Sequence, residues 1–259
     1  MLAVLSPAKT LDMQAAGFGD HGSVRLTKPR DLETSSRIAA TAKGWNVQEL
    51  RDRMKISEKL AELNRQRFSD MEFPQPKDAT VAAILGFRGD VYRGLDVDGW
   101  NPEQMEYADG HLRILSGLYG VLRPRDAIQA YRLEMGTPIG PGDYETLYQH
   151  WSTKSSNRIA ADVRESDSGA LLNLASAEYF KSLAELPETI PVIAPEFLEM
   201  KDGQAKNITI FTKVARGMMA SWVMRHRPRT EAELQGFDED GYRFDRKRSE
   251  TGRPVFVRS

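Results

Sequence analysis

The chain predicts an α/β fold: a mixed central sheet flanked by helices, with a helix-hairpin-helix-like element near the N-terminus. Three observations carry this expectation. Continuous apolar runs at 1–5, 81–85, 112–115 and 170–175 fit strands buried on both faces. Helix-length segments with their own start and stop signals separate those runs. Two short helical segments at 47–54 and 57–68 leave only Lys55 and Ile56 between them. With 259 residues there is ample chain for a large core, and a single domain is expected, with the helix pair inserted at about 46–68.

Taken in order, the first run stops at Ser6-Pro7, and Ser6-Pro-Ala-Lys-Thr10 then places a hydroxyl and an ammonium at a strand's carboxyl end. Open α/β sheets bind ligands there. The segment lacks the glycines of a Walker loop. Residues 13–28, with Gly17, Gly19 and Gly22, read as an irregular loop, and 29–43 as a helix ended by Gly44. In the helix pair, Ile56 would plug the hairpin and Ala61 would let the helices approach closely. Ser57 would cap the second helix, whose free N–H groups seat a phosphate, with Lys55 and Lys59 on either side. A helix-hairpin-helix has glycines where Lys55 and Ser57 stand, so an ordinary helical corner is the competing reading.

The run at 81–85 ends in Gly86-Phe-Arg-Gly-Asp-Val-Tyr92, which carries Arg88 and Asp90. Asn101-Pro-Glu-Gln104 is a strong helix start. The run at 112–116 breaks at Gly117 and Gly120, and Arg123, Arg125, Asp126, Tyr131, Arg132 and Glu134 follow. Arginines after such a break offer two-pronged donors to phosphate or carboxylate, or simply a solvated turn. A Pro/Gly loop spans 137–143 and a helix is expected over 144–163. Asn173, Ser176, Glu178 and Lys181 follow the last buried run. Residues 190–194 and 204–211 are expected to pair as strands across a turn at 201–203. A basic helix at 213–225 carries Lys213 and Arg216 on one face.

Composition narrows the function. Without cysteine there is no disulfide, no cysteine-zinc site and no thiol peroxidase chemistry. The ten methionines fit core filling. No apolar run approaches the roughly 18 residues of a membrane span, so no membrane partner is expected and the cytoplasm is the default location. His21, His111, His150 and His226 sit in unrelated contexts, and neither a hydrolytic triad, a metal site nor a cofactor is expected. A net charge of −1 excludes a uniformly basic coat but not a local patch. Between 201 and 229 seven cations face one aspartate, and an acidic run follows.

Several stretches together resemble the YaaA family of bacterial peroxide-stress proteins: Ser6-Pro-Ala-Lys-Thr-Leu-Asp12, Gly89-Asp-Val-Tyr92, the run from Leu112 to Gly136, Asn173-Leu-Ala-Ser176 with Glu178-Tyr-Phe-Lys181, and Lys213-Val-Ala-Arg-Gly217. The likeness covers nearly the whole chain in order. It implies a cytosolic role in limiting oxidative damage to DNA, with iron homeostasis affected indirectly. Placed side by side, the strand ends would form one anion-attracting cleft containing Ser6, Lys9, Arg88, Arg132, Lys181, Lys213 and Arg216. The expected partner is DNA, contacted through its phosphates there and at Lys55, Ser57 and Lys59. The alternative is an enzyme acting on a nucleotide or nucleobase in the same cleft. Lys9 or Lys181 would then be nucleophile or phosphate anchor, and Glu134 or Glu178 the acid/base.

Overall fold

The computed structural model describes residues 1–15, 24–139, 144–166 and 168–259. His21 and most of the glycine-rich stretch after Met13 lie outside them, as do most of the Pro/Gly residues of the 137–143 loop. Five strands form the central sheet: β1 (Leu2–Leu5), β2 (Leu112–Ser116), β3 (Gly120–Leu122), β4 (Leu171–Asn173) and β5 (Val192–Ile193). Their order is β3-β2-β1-β4-β5, parallel throughout except for β3, which turns back against β2. The register Ala3↔Leu112 and Ala3↔Leu172 puts the carboxyl ends of β1, β2 and β4 on one edge. Every residue of β1 and β2 is buried, as expected of strands covered on both faces; β1 is wholly apolar, whereas β2 also buries Arg113 and Ser116. The chain leaves β1 toward β2 on one side and later adds β4 on the other, so a crevice opens at the end of β1.

A second sheet joins β6 (Glu196–Lys201), β7 (Gln204–Lys206), β8 (Tyr242–Phe244) and β9 (Val255–Arg258) in the order β7-β6-β9-β8. Phe197, Phe237, Tyr242 and Phe256 pack edge-to-face and stacked beneath it. The expected pairing of 190–194 with 204–211 is corrected here. Val192–Ile193 instead edges the central sheet, and the hairpin begins after Pro195, turning at Asp202 and Gly203 with φ of +54° and +74°. Two successive positive φ values are what a tight hairpin turn demands. The other arm ends at Lys206, and a helix starts at Thr209.

The run at 81–85 is also not a strand of the central sheet. Val81–Ala82 pairs with Ala127–Ile128, and Ala83–Gly86 winds into one buried helical turn whose first N–H groups reach the carbonyls of Asp126 and Pro124. A short apolar run fits a buried strand and a buried helical turn equally well.

The helices are α1 (Leu32–Lys43), α2 (Val47–Met54), α3 (Glu58–Asp70), α4 (Asp90–Leu95), α5 (Pro102–His111), α6 (Leu147–Glu165), α7 (Ala177–Phe180) and α8 (Thr209–His226). Asn46, Asn101 and Thr146 each form a reciprocal capping box with the residue three positions on. Lys55 ends α2 in the left-handed conformation at φ +52°, and Ser57 caps α3. Ala61 is fully buried where α3 meets its neighbours.

Two features fix how these elements pack. Arg113 on β2 donates to Asp162 on α6 at 2.6 Å, and Arg30 donates to both oxygens of the same carboxylate at 2.9 Å. Burial alone would raise the Asp162 carboxyl, but these hydrogen bonds outweigh it and hold the group below the usual range. The carboxylate therefore contributes stability above its unfolded value of about 3.9 and loses it as pH falls through the folded value. Asp162→Asn is expected to destabilise by about 3–5 kcal/mol, because two guanidiniums are left against a neutral group, and to flatten the acid limb of a denaturation-versus-pH curve. The second feature is the crossing of α4 and α8. A Cβ on Gly217 would lie 1.8 Å from the Val91 carbonyl oxygen, and one on Gly94 2.0 Å from that of Val214. Only glycine admits such an approach at both positions.

Candidate anion-binding cleft

At the carboxyl edge of β1, β2 and β4 lies a cavity of about 400 Å³. It gathers most of the residues that the sequence singles out. Ser6 and Lys9 come from the loop after β1, Arg88 from the short strand Phe87–Arg88 that pairs with Thr10–Leu11, Asp90 from the start of α4, and Arg132 and Glu134 from the segment after Tyr131. Ser176 and Glu178 come from the β4–α7 turn, and Lys213 and Arg216 from α8. Five cations thus face three carboxylates. The α4–α8 crossing brings Lys213 and Arg216 to Asp90; their i, i+3 spacing puts both on the cavity face.

The strand ends are tied together by hydroxyls. Ser6 Oγ accepts from the Ser176 N–H at 2.9 Å and donates to Ser176 Oγ at 3.2 Å, and the Tyr92 hydroxyl donates to the Ser6 carbonyl at 3.1 Å. Ser176 also caps α7. Glu134 bridges two cations: Lys9 Nζ lies 2.9 Å from one oxygen and Arg132 Nη2 3.0 Å from the other. Glu178 accepts from the Gly136 N–H at 3.1 Å. Arg88 faces Asp12 at 3.4 Å, and Asp90 faces Arg93 at 3.4 Å.

Not every donor is spent. Arg132 Nε is buried with no hydrogen-bond partner. Arg216 has neither carboxylate nor hydrogen-bond acceptor among the described residues, and burial pulls its guanidinium below the ordinary arginine value. The Arg216 nitrogens are not among the buried orphaned atoms, so they stay open to solvent, and an anion entering the cavity would find them unpaired. The Tyr92, Tyr131 and Tyr179 hydroxyls are all pushed up, first by burial, and stay neutral at physiological pH. They supply apolar and hydrogen-bonding wall, not bases.

Other expected site residues fall elsewhere. Lys181 is absent from the cavity wall; its ammonium sits over the Tyr148 ring, 4.8 Å from the centroid. Arg123 and Arg125, offered above as anion donors, are occupied internally. Arg123 pairs with buried Asp126 at 2.8 Å and Arg125 with Asp109 at 3.0 Å, although Arg125 Nε, like Arg132 Nε, is buried without a partner. Lys55, Ser57 and Lys59 lie outside the cavity on the α2–α3 hairpin, where Ser57 Oγ accepts from the Leu60 N–H.

The sequence reading missed Arg67, near the end of α3. Burial and then the charge of Arg132 lower its guanidinium, it does not line the cavity, and it has no ion pair among the described residues. Its signal was the row Lys59, Leu63, Arg67 at i, i+4, i+8. Among the described residues no group of three or more His, Asp or Glu side chains converges as a metal site, and no helix is long and apolar enough to cross a membrane.

Relatives match this chain in sequence along its whole length. The chain is 41% identical over 258 residues to a UPF0246 protein of Marinomonas sp., covering 100% of this chain and 97% of the relative. It is 40% identical over 260 residues to a UPF0246 protein of Clostridium beijerinckii, covering 100% and 98%. A UPF0246 protein of Idiomarina loihiensis is 39% identical over 259 residues, covering 100% and 99%. The family model described as peroxide stress protein YaaA matches residues 1–248, and the chain belongs to that family.

Proposed function

We propose that this protein binds DNA during the cytoplasmic response to peroxide, holding duplex or distorted DNA against the basic cleft and so limiting oxidative damage to it. The observation that carries the reading is Arg216: a half-buried guanidinium without an anion, on the wall of a cavity that also holds Lys213 and Arg132. Backbone phosphate supplies the missing partner. We read the α2–α3 hairpin as a helix-hairpin-helix-like seat for further phosphates. Lys55 adopts the positive φ that glycine ordinarily provides, and Ser57 caps the second helix. Any effect on iron levels is indirect on this reading.

Titration of labelled duplex against rising salt is expected to show steep weakening, with log affinity linear in log salt. Lys55→Glu and Arg216→Glu should each lower affinity by about tenfold or more while the folded spectrum is kept. Unchanged binding in both charge reversals would remove the proposal.

The second reading, an enzyme acting on a nucleotide or nucleobase, is favoured by the cavity's size and its tyrosine-lined wall. Its acid/base candidates are constrained. Both oxygens of Glu134 are engaged by cations, and an ion-paired Lys9 ammonium has no lone pair with which to attack. A nucleotide that co-purifies with the protein would favour this reading.

A further inference from the structure

The cations on the cleft wall are of two kinds. Lys213 and Arg216 carry no ion pair among the described residues. Lys9 and Arg132 are both committed to one carboxylate: Lys9 Nζ lies 2.9 Å from one oxygen of Glu134, and Arg132 Nη2 donates to the other at 3.0 Å.

Folding stability does not account for this bridge. Glu134 already has Arg132 as a well-covered partner, with the two side chains 22% and 15% exposed. The Lys9 side chain is 63% exposed, and a pair made by so open an ammonium contributes little to the fold. What the bridge does is hold an anion where a ligand's phosphate would sit. To an ammonium and a guanidinium, a carboxylate oxygen and a phosphate oxygen are the same kind of acceptor. Two anions on one ammonium repel, so a phosphate reaches Lys9 only by displacing Glu134.

We infer that Glu134 is a specificity-determining residue: a built-in anion that competes with phosphate for Lys9 and Arg132. This rests on the DNA reading and specifies how the cleft chooses among phosphate-bearing ligands. The cost of displacing Glu134 is common to every anion, so it matters most to weak ones. An anion held by Lys9 and Arg132 alone loses its occupancy. A DNA strand that also engages Lys213 and Arg216, which release no partner on binding, keeps it. Selectivity of this kind comes from penalising the wrong ligand and not from added contacts to the right one.

The test is a double-substitution cycle on Glu134→Gln and Lys9→Met, read by titration at fixed low salt with labelled duplex and, separately, with inorganic phosphate. Glu134→Gln keeps the shape of the side chain and removes the competitor, so both ligands are expected to bind about tenfold more tightly than to the wild type. In the wild type, Lys9→Met takes one partner from Glu134 in the free protein and one from the phosphate in the complex. The two losses nearly cancel, and affinity for duplex is expected to fall by less than about threefold. In Glu134→Gln the same change touches only the complex, and the whole tenfold gain is expected to vanish. The cycle separates this from a general change of charge, because the through-space effect of removing the Lys9 ammonium is the same in both backgrounds. Equal or weaker binding of either ligand by Glu134→Gln overturns the competitor, as does an equal loss on Lys9→Met in both backgrounds. A tenfold loss on Lys9→Met in the wild type overturns it without recourse to the Glu134 variant. In each of these cases duplex binding by the wild type leaves the DNA reading standing. Duplex bound by neither the wild type nor Glu134→Gln overturns both.

Discussion

The double substitution Arg132→Met with Arg216→Met is expected to weaken DNA binding by about 100-fold or more, at about 1.5–3 kcal/mol for each charge-assisted hydrogen bond removed. It is also expected to leave the melting temperature unchanged or raise it. These two outcomes belong together. Arg216 contributes no ion pair to the free protein, and burial disfavours its charge. Methionine has a similar reach without the desolvation cost. Arg132 does hold Glu134, but Lys9 remains at 2.9 Å to neutralise that carboxylate. A group kept for the fold would stabilise it, whereas a group kept for a ligand costs stability until the ligand arrives. Thermal denaturation beside a binding titration separates the two roles. Loss of affinity together with a large fall in melting temperature would make the arginines structural.

Gly217→Ala is expected to be the most damaging glycine-to-alanine change among the described residues, lowering stability by about 3 kcal/mol or more and the melting temperature by about 6–12 °C. The added Cβ would stand 1.8 Å from the Val91 carbonyl oxygen, which is backbone and cannot turn aside as a side chain would. Relief requires α8 to move away from α4. Lys213 and Arg216 ride on α8, and Asp90 and Tyr92 on α4, so the same motion opens the cleft. Residual folded protein should therefore bind DNA more weakly than its stability alone predicts. Gly236→Ala, whose Cβ would meet its nearest neighbour at 3.4 Å, is the matched control with little effect. Equal melting temperatures for the two variants would contradict the close crossing.

How far this was legible beforehand follows from which interactions are local. The buried strands at 2–5, 112–116 and 171–173 declared themselves because each is a short, mostly apolar run closed by a polar or turn-forming residue. The cleft was legible as a shared pattern, each run ending in a small residue and then a polar one. Caps such as Asn101-Pro-Glu-Gln104 are local and were readable. The fate of 81–85 was not, since one buried helical turn and one buried strand share a composition. Lys181 carries the same charge as Lys9, and only the packed position of Tyr148 turns it away from the cavity. Arg123 and Arg125 looked available until tertiary contacts supplied Asp126 and Asp109.

The most direct measurement is competition for one bound DNA. Labelled duplex held by the protein at fixed salt is titrated with a nucleoside monophosphate, with an equal ionic strength of sodium chloride as the reference. The cleft account predicts that the nucleotide displaces the duplex well before the salt reference does, and that Arg216→Met removes this difference. Displacement by nucleotide and by salt along one and the same curve would contradict it.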